Sequence, residues 1–325
     1  MKAVSLFSGG LDSQLAVLLI QKQGITVIGV NFITPFFAVK QSTLDAAETL
    51  GIELLTIDIS AEYMGNVLIN PVYGYGQHMN PCIDCHAFML KKARSIMDET
   101  GAAFLITGEV LGQRPMSQNR SALQAVEKLS GQAGLIVRPL SALLLEPTIP
   151  ENTGCLDRSQ LLDISGRSRK RQMELAESFN LKEYPSPAGG CLLTDANYSR
   201  RLRYLLSVKP DAGTDEIKIL SWGRNFGLEG ALLIIGRNHK ENQNLLASAI
   251  PGDLLLTAPD YPGPVALLKT ADKEPDLQYI AAIVARYGDG KDQPRVMIKI
   301  FLSDGTVAQT IPVSPLNPDD IPAAL

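Results

Sequence analysis

The feature that most constrains this chain lies at its start. Val4-Ser5-Leu6-Phe7 reads as a buried strand and runs directly into Ser8-Gly9-Gly10-Leu11-Asp12-Ser13. Beyond it, Leu11, Leu15, Leu18 and Leu19 recur at three- and four-residue spacing, the period of one buried helix face. The stretch is therefore strand, glycine loop, helix. Paired glycines let the backbone turn tightly and bring its amides close to a ligand. The following helix directs unpaired N–H groups and the positive end of its dipole into the same space. Ser8 and Ser13 add hydroxyls, and Asp12 is placed to cap amides or help hold a magnesium ion. Such a site suits phosphate. It is not G-x-x-x-x-G-K-[ST], because no lysine follows to reach a γ-phosphate, and it is not G-x-G-x-x-G.

The first half of the chain keeps this rhythm. Residues 25–30 form a short continuous apolar run, as in a parallel strand covered on both faces, and Asn31 and Phe32 end it. A helix through Leu44, Ala47 and Leu50 follows, then a strand over 54–57. Further strands are expected at 104–106, ending in Thr107-Gly108-Glu109, and at 135–137. The predicted fold class is α/β, a doubly wound parallel sheet whose ligands sit outside the carboxyl ends of its strands. That places Asn31 and Phe32 beside the glycine loop. Gly112 to Asn119 reads as a polar loop, 166–172 as a helix start, and Pro185 to Cys191 as a segment too rich in Pro and Gly for regular structure. Beyond about residue 205 the composition changes. Strand-like runs appear at 217–222, 231–235 and 296–302, and helices over 238–249 and 276–285. Two domains are predicted, 1–205 and a smaller α+β unit over 206–325.

A net charge of −4 over 325 residues argues against a strong nonspecific polyanion binder and leaves room for a local basic patch. No apolar run is long enough to span a membrane, and the first residues lack a basic-then-apolar leader, so a cytoplasmic location is expected. Four cysteines in a reducing compartment point to metal binding, catalysis or inert thiols rather than a disulfide framework.

Cys82-x-x-Cys85 heads an expected helix, and Cys191 stands in a distant glycine loop. Thiolates at i and i+3 can face one metal, and a third from elsewhere leaves one coordination position open. In a [4Fe–4S] cluster the fourth iron is then free to carry a non-protein ligand. Zinc is the lesser alternative and would need a fourth ligand, Cys155 or His86; a persulfide or disulfide pair is the third reading. Cys155 has no partner spacing and is left out of the set.

SGGLDS at a strand-to-helix turn resembles the PP-loop of ATP pyrophosphatases, which cleave ATP between the α- and β-phosphates and leave AMP on a substrate oxygen. Together with the C-x-x-C after an Asn-Pro loop, Thr107-Gly108-Glu109, Gly112-Gln113 and Ser117-Gln118, it resembles the PP-loop domain of the ThiI-type tRNA 4-thiouridine synthetases. The cysteine pattern is similar to that of cluster-bearing tRNA thiolases, including the TtuA group. The resemblance covers roughly residues 1–200 and implies an adenine nucleotide alpha hydrolase-like fold. The THUMP and ferredoxin-like region that ThiI places before its PP-loop, and any rhodanese-like domain after it, are expected to be absent. Trp222-Gly223-Arg224, Gly236-Arg237-Asn238-His239 and Asn242 resemble instead the RNA-binding module of NFACT proteins.

The resemblance implies ATP and Mg2+ on Ser8, Gly9, Gly10, Leu11, Asp12 and Ser13, with adenine near Asn31 and Phe32 and with Thr107, Gly108 and Glu109 in the same site. It implies a [4Fe–4S] cluster on Cys82, Cys85 and Cys191 carrying sulfide, and tRNA as substrate. Asp12 and the three cysteines are then the catalytic residues. A sulfide or persulfide donor is the implied partner. Gln113, Arg114, Ser117 and Gln118 are candidates for contacting the RNA or the adenylated base. Arg167, Arg169, Lys170 and Arg171 are candidates for tRNA phosphates, with a solvated helix face as the equal alternative; Arg224, Arg237, His239 and Lys240 are weaker ones.

Overall fold

The computed structural model describes residues 1–186, 191–271 and 274–325. The chain divides into two compact units, Met1–Thr194 and Asp195–Leu325. The first carries strands β1 (Lys2–Leu6), β2 (Thr26–Ile33), β3 (Glu53–Asp58), β4 (Phe104–Ile106) and β5 (Ile136–Val137). Its helices are α1 (Leu11–Gln21), α2 (Gln41–Thr49), α3 (Ser60–Tyr63), α4 (Cys82–Thr100), α5 (Arg120–Ser130), α6 (Ile149–Asn152) and α7 (Lys170–Ser178), and a π-helical turn, Met64–Leu68, continues α3.

The five strands form one parallel sheet in the order β3-β2-β1-β4-β5, with Ser5 of β1 opposite Gly29 of β2 and Ile106 of β4. The order reverses between β1 and β4, so the crevice for a ligand opens outside the carboxyl ends of those two strands. The first turns after them are Ser8–Gly10 and Thr107–Glu109. Helix α1 is buried on most of its circumference. Ala16, Val17 and Ile20 enter a core with Phe7, Val27, Ala46 and Phe104, while Leu11, Leu15 and Leu19 pack with Val110, Ile164 and Ala176. A helix that is apolar nearly all round has to be covered on more than one side.

The second unit has helices α8 (Ala196–Val208), α9 (Thr214–Lys218), α10 (His239–Ser248) and α11 (Leu277–Arg286) and strands β6 (Arg224–Leu228), β7 (Ala231–Ile235), β8 (Leu254–Thr257), β9 (Ala266–Thr270), β10 (Val296–Leu302) and β11 (Val307–Val313). The strands make an antiparallel sheet in the order β11-β10-β8-β9-β7-β6. Ile280, Ala281, Ile283 and Val284 of α11 pack on it with Leu233, Leu268 and Ile298.

The dividing point lies earlier than the expected boundary at 205, because α8 packs with β6 and β7 of the second unit. Residues 217–221 are helical rather than a strand: Ile217 and Lys218 close α9, and a 3-10 turn, Ile219–Ser221, follows. Ile217, Ile219 and Leu220 are fully buried, so the apolar run is a core run without being a strand. The basic run 166–171 is mostly not helical, since α7 begins only at Lys170. Of the Pro185–Cys191 segment, residues 187–190 lie outside the described residues. Among the described residues no helix is long and apolar enough to cross a membrane.

Lys269 of β9 is 1% exposed and lies beside Leu232 of β7. Its ammonium donates to Glu216 at 3.0 Å and to Asp253 at 2.9 Å. Removing one member of such a buried set leaves uncompensated charge. Lys269→Met should therefore destabilise the second unit by roughly 3–5 kcal/mol. Guanidinium unfolding followed through Trp222, the one tryptophan of the chain, checks this.

Candidate nucleotide and cysteine site

The glycine loop is built by close approach. Gly9 has φ +72°, and a Cβ there would stand 2.7 Å from the Thr43 Cα. The Thr43 hydroxyl donates to the Ser8 carbonyl at 3.0 Å, and the Gln14 amide donates to the Gly9 carbonyl at 2.8 Å. Gly10 is the N-cap of α1, and the Ser13 hydroxyl donates to its carbonyl at 2.8 Å. The loop is thus fixed by bonds to its carbonyls, which leaves amides of the first turn of α1 directed outward, as a phosphate site requires.

Across the crevice, Gly108 lies against the first turn of α1. A Cβ on it would meet the Ser13 nitrogen at 2.6 Å and the Asp12 carbonyl carbon at 2.7 Å. Only glycine allows the turn after β4 to close on that backbone. The Gln113 amide donates to Asp12 Oδ2 at 3.0 Å, while Asp12 Oδ1 is buried with no hydrogen-bond partner, as is Gln113 Oε1. A carboxylate oxygen held in place and left unsatisfied suits a hard cation such as Mg2+.

Glu109, next in the chain, is the hub of a buried network. His86 Nδ1 meets its Oε1 at 2.8 Å, and its Oε2 accepts from Thr107 Oγ1 at 3.0 Å and from Arg138 Nε at 2.9 Å. Arg138 also pairs with Glu127. Burial alone would raise the Glu109 pKa, but Arg138 and then His86 outweigh it and hold the carboxyl down at about 2. Burial likewise disfavours the Arg138 charge, and Glu109 and Glu127 reverse that and raise its pKa. His86 follows Cys85 on α4, so the network links the phosphate crevice to the cysteine turn.

Cys82 and Cys85 sit in the first turn of α4. The Asn80 amide donates to Cys82 Sγ at 3.2 Å. Burial pushes the Cys85 thiol up to about 12; a hydrogen bond from Tyr63 opposes this, and Cys191 and Cys82 reinforce it. Cys191 is likewise pushed up to about 12 by burial, against the Leu193 amide and together with Cys82. The Leu192 amide donates to the Phe36 carbonyl at 3.2 Å, and the Phe36 ring packs on Tyr63 with centroids 5.9 Å apart, which ties the Cys191 segment to the same place.

Three half-buried cysteines are a soft donor set. Among the described residues, however, no group of three or more His, Cys, Asp or Glu is arranged to hold one metal ion. A tetrahedral zinc needs its thiolates about 2.3 Å from a common centre. Thiolate donors are chemically suited to zinc or to an iron–sulfur group.

Other expected site residues take different places. Phe32 is 4% exposed within β2 and is a core residue, not a surface for adenine. Asn31 donates to the Phe7 carbonyl at 2.8 Å and bears a buried, unpartnered Oδ1. Ser117 and Gln118 are buried, and Gln113 is committed to Asp12, so of that loop's four candidates only Arg114 is exposed. Arg167 and Lys170 are exposed, whereas Arg169 is half-buried with an unpartnered Nε. Cys155 lies at the far end of α1: Asp157, two residues on, exchanges hydrogen bonds with Gln23 at 2.8 and 3.2 Å. Sequence reasoning missed Tyr63, Arg138 and α5. Asn119 caps α5 through the Ala122 amide at 2.8 Å, and the apolar spacing of Ala122, Leu123 and Val126 was the available signal for that helix. Nothing local marks Tyr63 or Arg138.

Residues 1–147 match the family model described as thiamine biosynthesis protein (ThiI), and residues 223–324 match that of the NFACT protein RNA binding domain. The chain is thus similar to ThiI over its first 147 residues and to the NFACT RNA binding domain near its C-terminus. Over 243 residues it is 26% identical to the tRNA-specific 2-thiouridylase MnmA of Methylobacillus flagellatus, covering 70% of this chain and 63% of that protein. Over 169 residues it is 27% identical to a probable tRNA sulfurtransferase of Lachnoclostridium phytofermentans, covering 51% of this chain and 39% of the other. The chain therefore spans less than two thirds of either relative. A solved 4-thiouridine synthetase in complex with RNA and ATP aligns with a TM-score of 0.36 at 26% identity, over 42% of this chain and 36% of that one.

The Glu109 shift makes a pH prediction. A carboxyl lowered from 4.5 to about 2 in the fold contributes stability above its unfolded pKa and loses it as pH falls toward 2. The contribution is about 3 kcal/mol at neutral pH. Glu109→Gln should remove it and flatten the acid limb between about pH 4.5 and 2, which denaturant unfolding across that range measures.

Proposed function

We propose that this protein is an ATP-dependent tRNA sulfurtransferase that converts a uridine of tRNA to 4-thiouridine. The observation that carries the reading is one turn of chain, Thr107-Gly108-Glu109. Its glycine packs on the backbone of Asp12 and Ser13, and its glutamate bonds the histidine that follows Cys85. A phosphate loop and a thiol cluster built against one another suit a reaction that activates an oxygen with ATP and replaces it with sulfur. The matched families support the same reading.

In this reading the amides of Gly9, Gly10 and Leu11 receive the triphosphate of ATP. Asp12, oriented by Gln113, offers its free oxygen to Mg2+. The uridine carbonyl oxygen attacks the α-phosphorus, pyrophosphate leaves, and the former carbonyl oxygen becomes part of a good leaving group, AMP. Sulfur delivered at the cysteine turn then replaces AMP at the ring carbon. Cys82, Cys85 and Cys191 would hold a [4Fe–4S] cluster, which when bound supplies an iron with an open position for sulfide. Tyr63 directs a hydrogen bond to Cys85, and the rings around it keep water from that side of the site. Holding the activated base and the sulfur on one scaffold makes the second step nearly intramolecular. Arg167 and Lys170, and the second unit, would hold tRNA; a sulfide or persulfide donor reloads the site.

Anaerobically prepared protein should contain iron and sulfide in cluster stoichiometry and form a thionucleoside in unmodified tRNA, read by mass spectrometry of the nucleosides. Cys82→Ala, Cys85→Ala and Cys191→Ala should each lose both, and Cys155→Ala neither. Stoichiometric zinc with activity surviving in air would defeat the cluster. Thiolation absent from fully loaded protein supplied with ATP and a sulfur donor would defeat the function.

Arg167 and Lys170 give a separate test. Charge reversal at both should weaken tRNA binding and reduce the salt slope by about one unit per lost phosphate contact, with ATP binding unchanged. An unchanged slope would return the pair to a solvated surface.

A further inference from the structure

Residues 69–75, between the π-helical turn and the cysteine turn, expose large apolar side chains that no role described above uses. Ile69, Val72, Tyr73 and Tyr75 are 44, 72, 45 and 40% exposed. The segment is pinned rather than loose. Asp84, 2% exposed and set between the two cysteines, accepts from the Val72 amide at 2.5 Å and the Tyr73 amide at 3.1 Å. The Tyr75 hydroxyl donates inward to the Leu68 carbonyl at 2.5 Å. The Gly76 amide donates to the Asn80 carbonyl at 3.0 Å, and a Cβ at Gly76 would stand 2.4 Å from Asn80 Nδ2, the nitrogen that reaches Cys82. The backbone that carries the two exposed phenol rings is thus fastened at residues 72, 73 and 76 to Asp84 and Asn80 beside the cysteines, and the Tyr75 ring is held by its bond to Leu68.

We propose that Tyr73 and Tyr75 are a stacking platform for an unpaired base of the RNA substrate, beside the uridine undergoing thiolation. The proposal rests on the reading of tRNA as substrate. Three observations select RNA as the occupant. The backbone of the rings is bonded to Asp84, between the two cysteines at which the proposed reaction delivers sulfur. No acidic side chain occurs between Tyr63 and Ile83 to repel a phosphate backbone, and the same stretch supplies Asn66, Asn70, Gln77 and His78 for base edges. Rigid exposed aromatics beside amides are the chemistry by which unstacked RNA bases are held.

The test measures binding of an unmodified tRNA transcript to the full-length protein at several salt concentrations. Tyr73→Ala should raise Kd about 5- to 150-fold, the range expected for one stacked base. Tyr73→Phe and Tyr73→Trp should stay within about twofold, because each keeps a π-face. The salt slope should not change, since stacking releases no counterions. Unchanged ATP binding by calorimetry shows that each variant is folded. If the parent protein binds no tRNA, the sulfurtransferase reading fails. If the parent binds and Tyr73→Ala binds equally, the platform alone is overturned. It is also overturned if Tyr73→Phe loses as much as Tyr73→Ala. Normal tRNA binding by Tyr73→Ala with lost sulfur uptake from a persulfide-bearing protein would overturn it too, and would assign the surface to a protein donor.

Discussion

The structure of the first unit depends on the closure of one backbone turn on another. Gly108 lies so close to Asp12 and Ser13 that any side chain there would overlap their backbone atoms. That contact sets the width of the crevice between the ends of β1 and β4, where the order of the sheet reverses. It also fixes the direction of Glu109, and through it the position of His86 and the start of α4. A parallel sheet opens such a crevice by topology alone. The glycine determines what can stand on its two sides.

The charges beneath the crevice follow from that closure. Glu109 and Arg138 are both almost fully buried. Taking a carboxylate and a guanidinium out of water costs several kcal/mol each unless their hydrogen bonds are nearly complete. Glu109 meets this with three partners, from Thr107, Arg138 and His86. Such a network adds little net stability over an apolar core, but it holds one geometry, because every alternative strands a buried charge. The floor between the phosphate loop and the cysteine turn is rigid for that reason.

The cysteine turn is organised on different terms. Tyr63, which hydrogen-bonds Cys85, packs against the rings of Phe36 and Phe88. Burial there favours the neutral thiols of Cys85 and Cys191. Asp84 does not supply the counter-charge to a metal; it is used up in fastening the 72–73 backbone. The result is a thiol-bearing turn backed by aromatic rings, linked through His86 and Glu109 to a polar crevice.

The phosphate loop, the parallel sheet and the helix that begins at Cys82 were legible in the sequence, because each rests on local periodicity or on glycine at a tight turn. That Cys191 joins the C-x-x-C in one ligand set is an expectation from the sequence, since thiols are few and their spacing is informative; the fold contributes the Leu192 amide bonded to the Phe36 carbonyl and the Phe36 ring packed on Tyr63. The role of Gln113 was not legible: its polar side chain suggested a contact with RNA, and only the fold brings it 3.0 Å from Asp12. Phe32 read as a ligand surface at the end of a strand, yet β2 runs on to Ile33 and buries the ring. Residues 217–222 read as a strand because a fully buried helical turn has the same apolar composition as a strand. Tyr63 and Arg138 carry no local signature; they act through partners more than ten residues away. Local sequence determined which backbone segments turn and which are covered. Which side chains meet across the crevice was decided by the tertiary structure, because burial of a charge or a thiol is a property of everything packed around it.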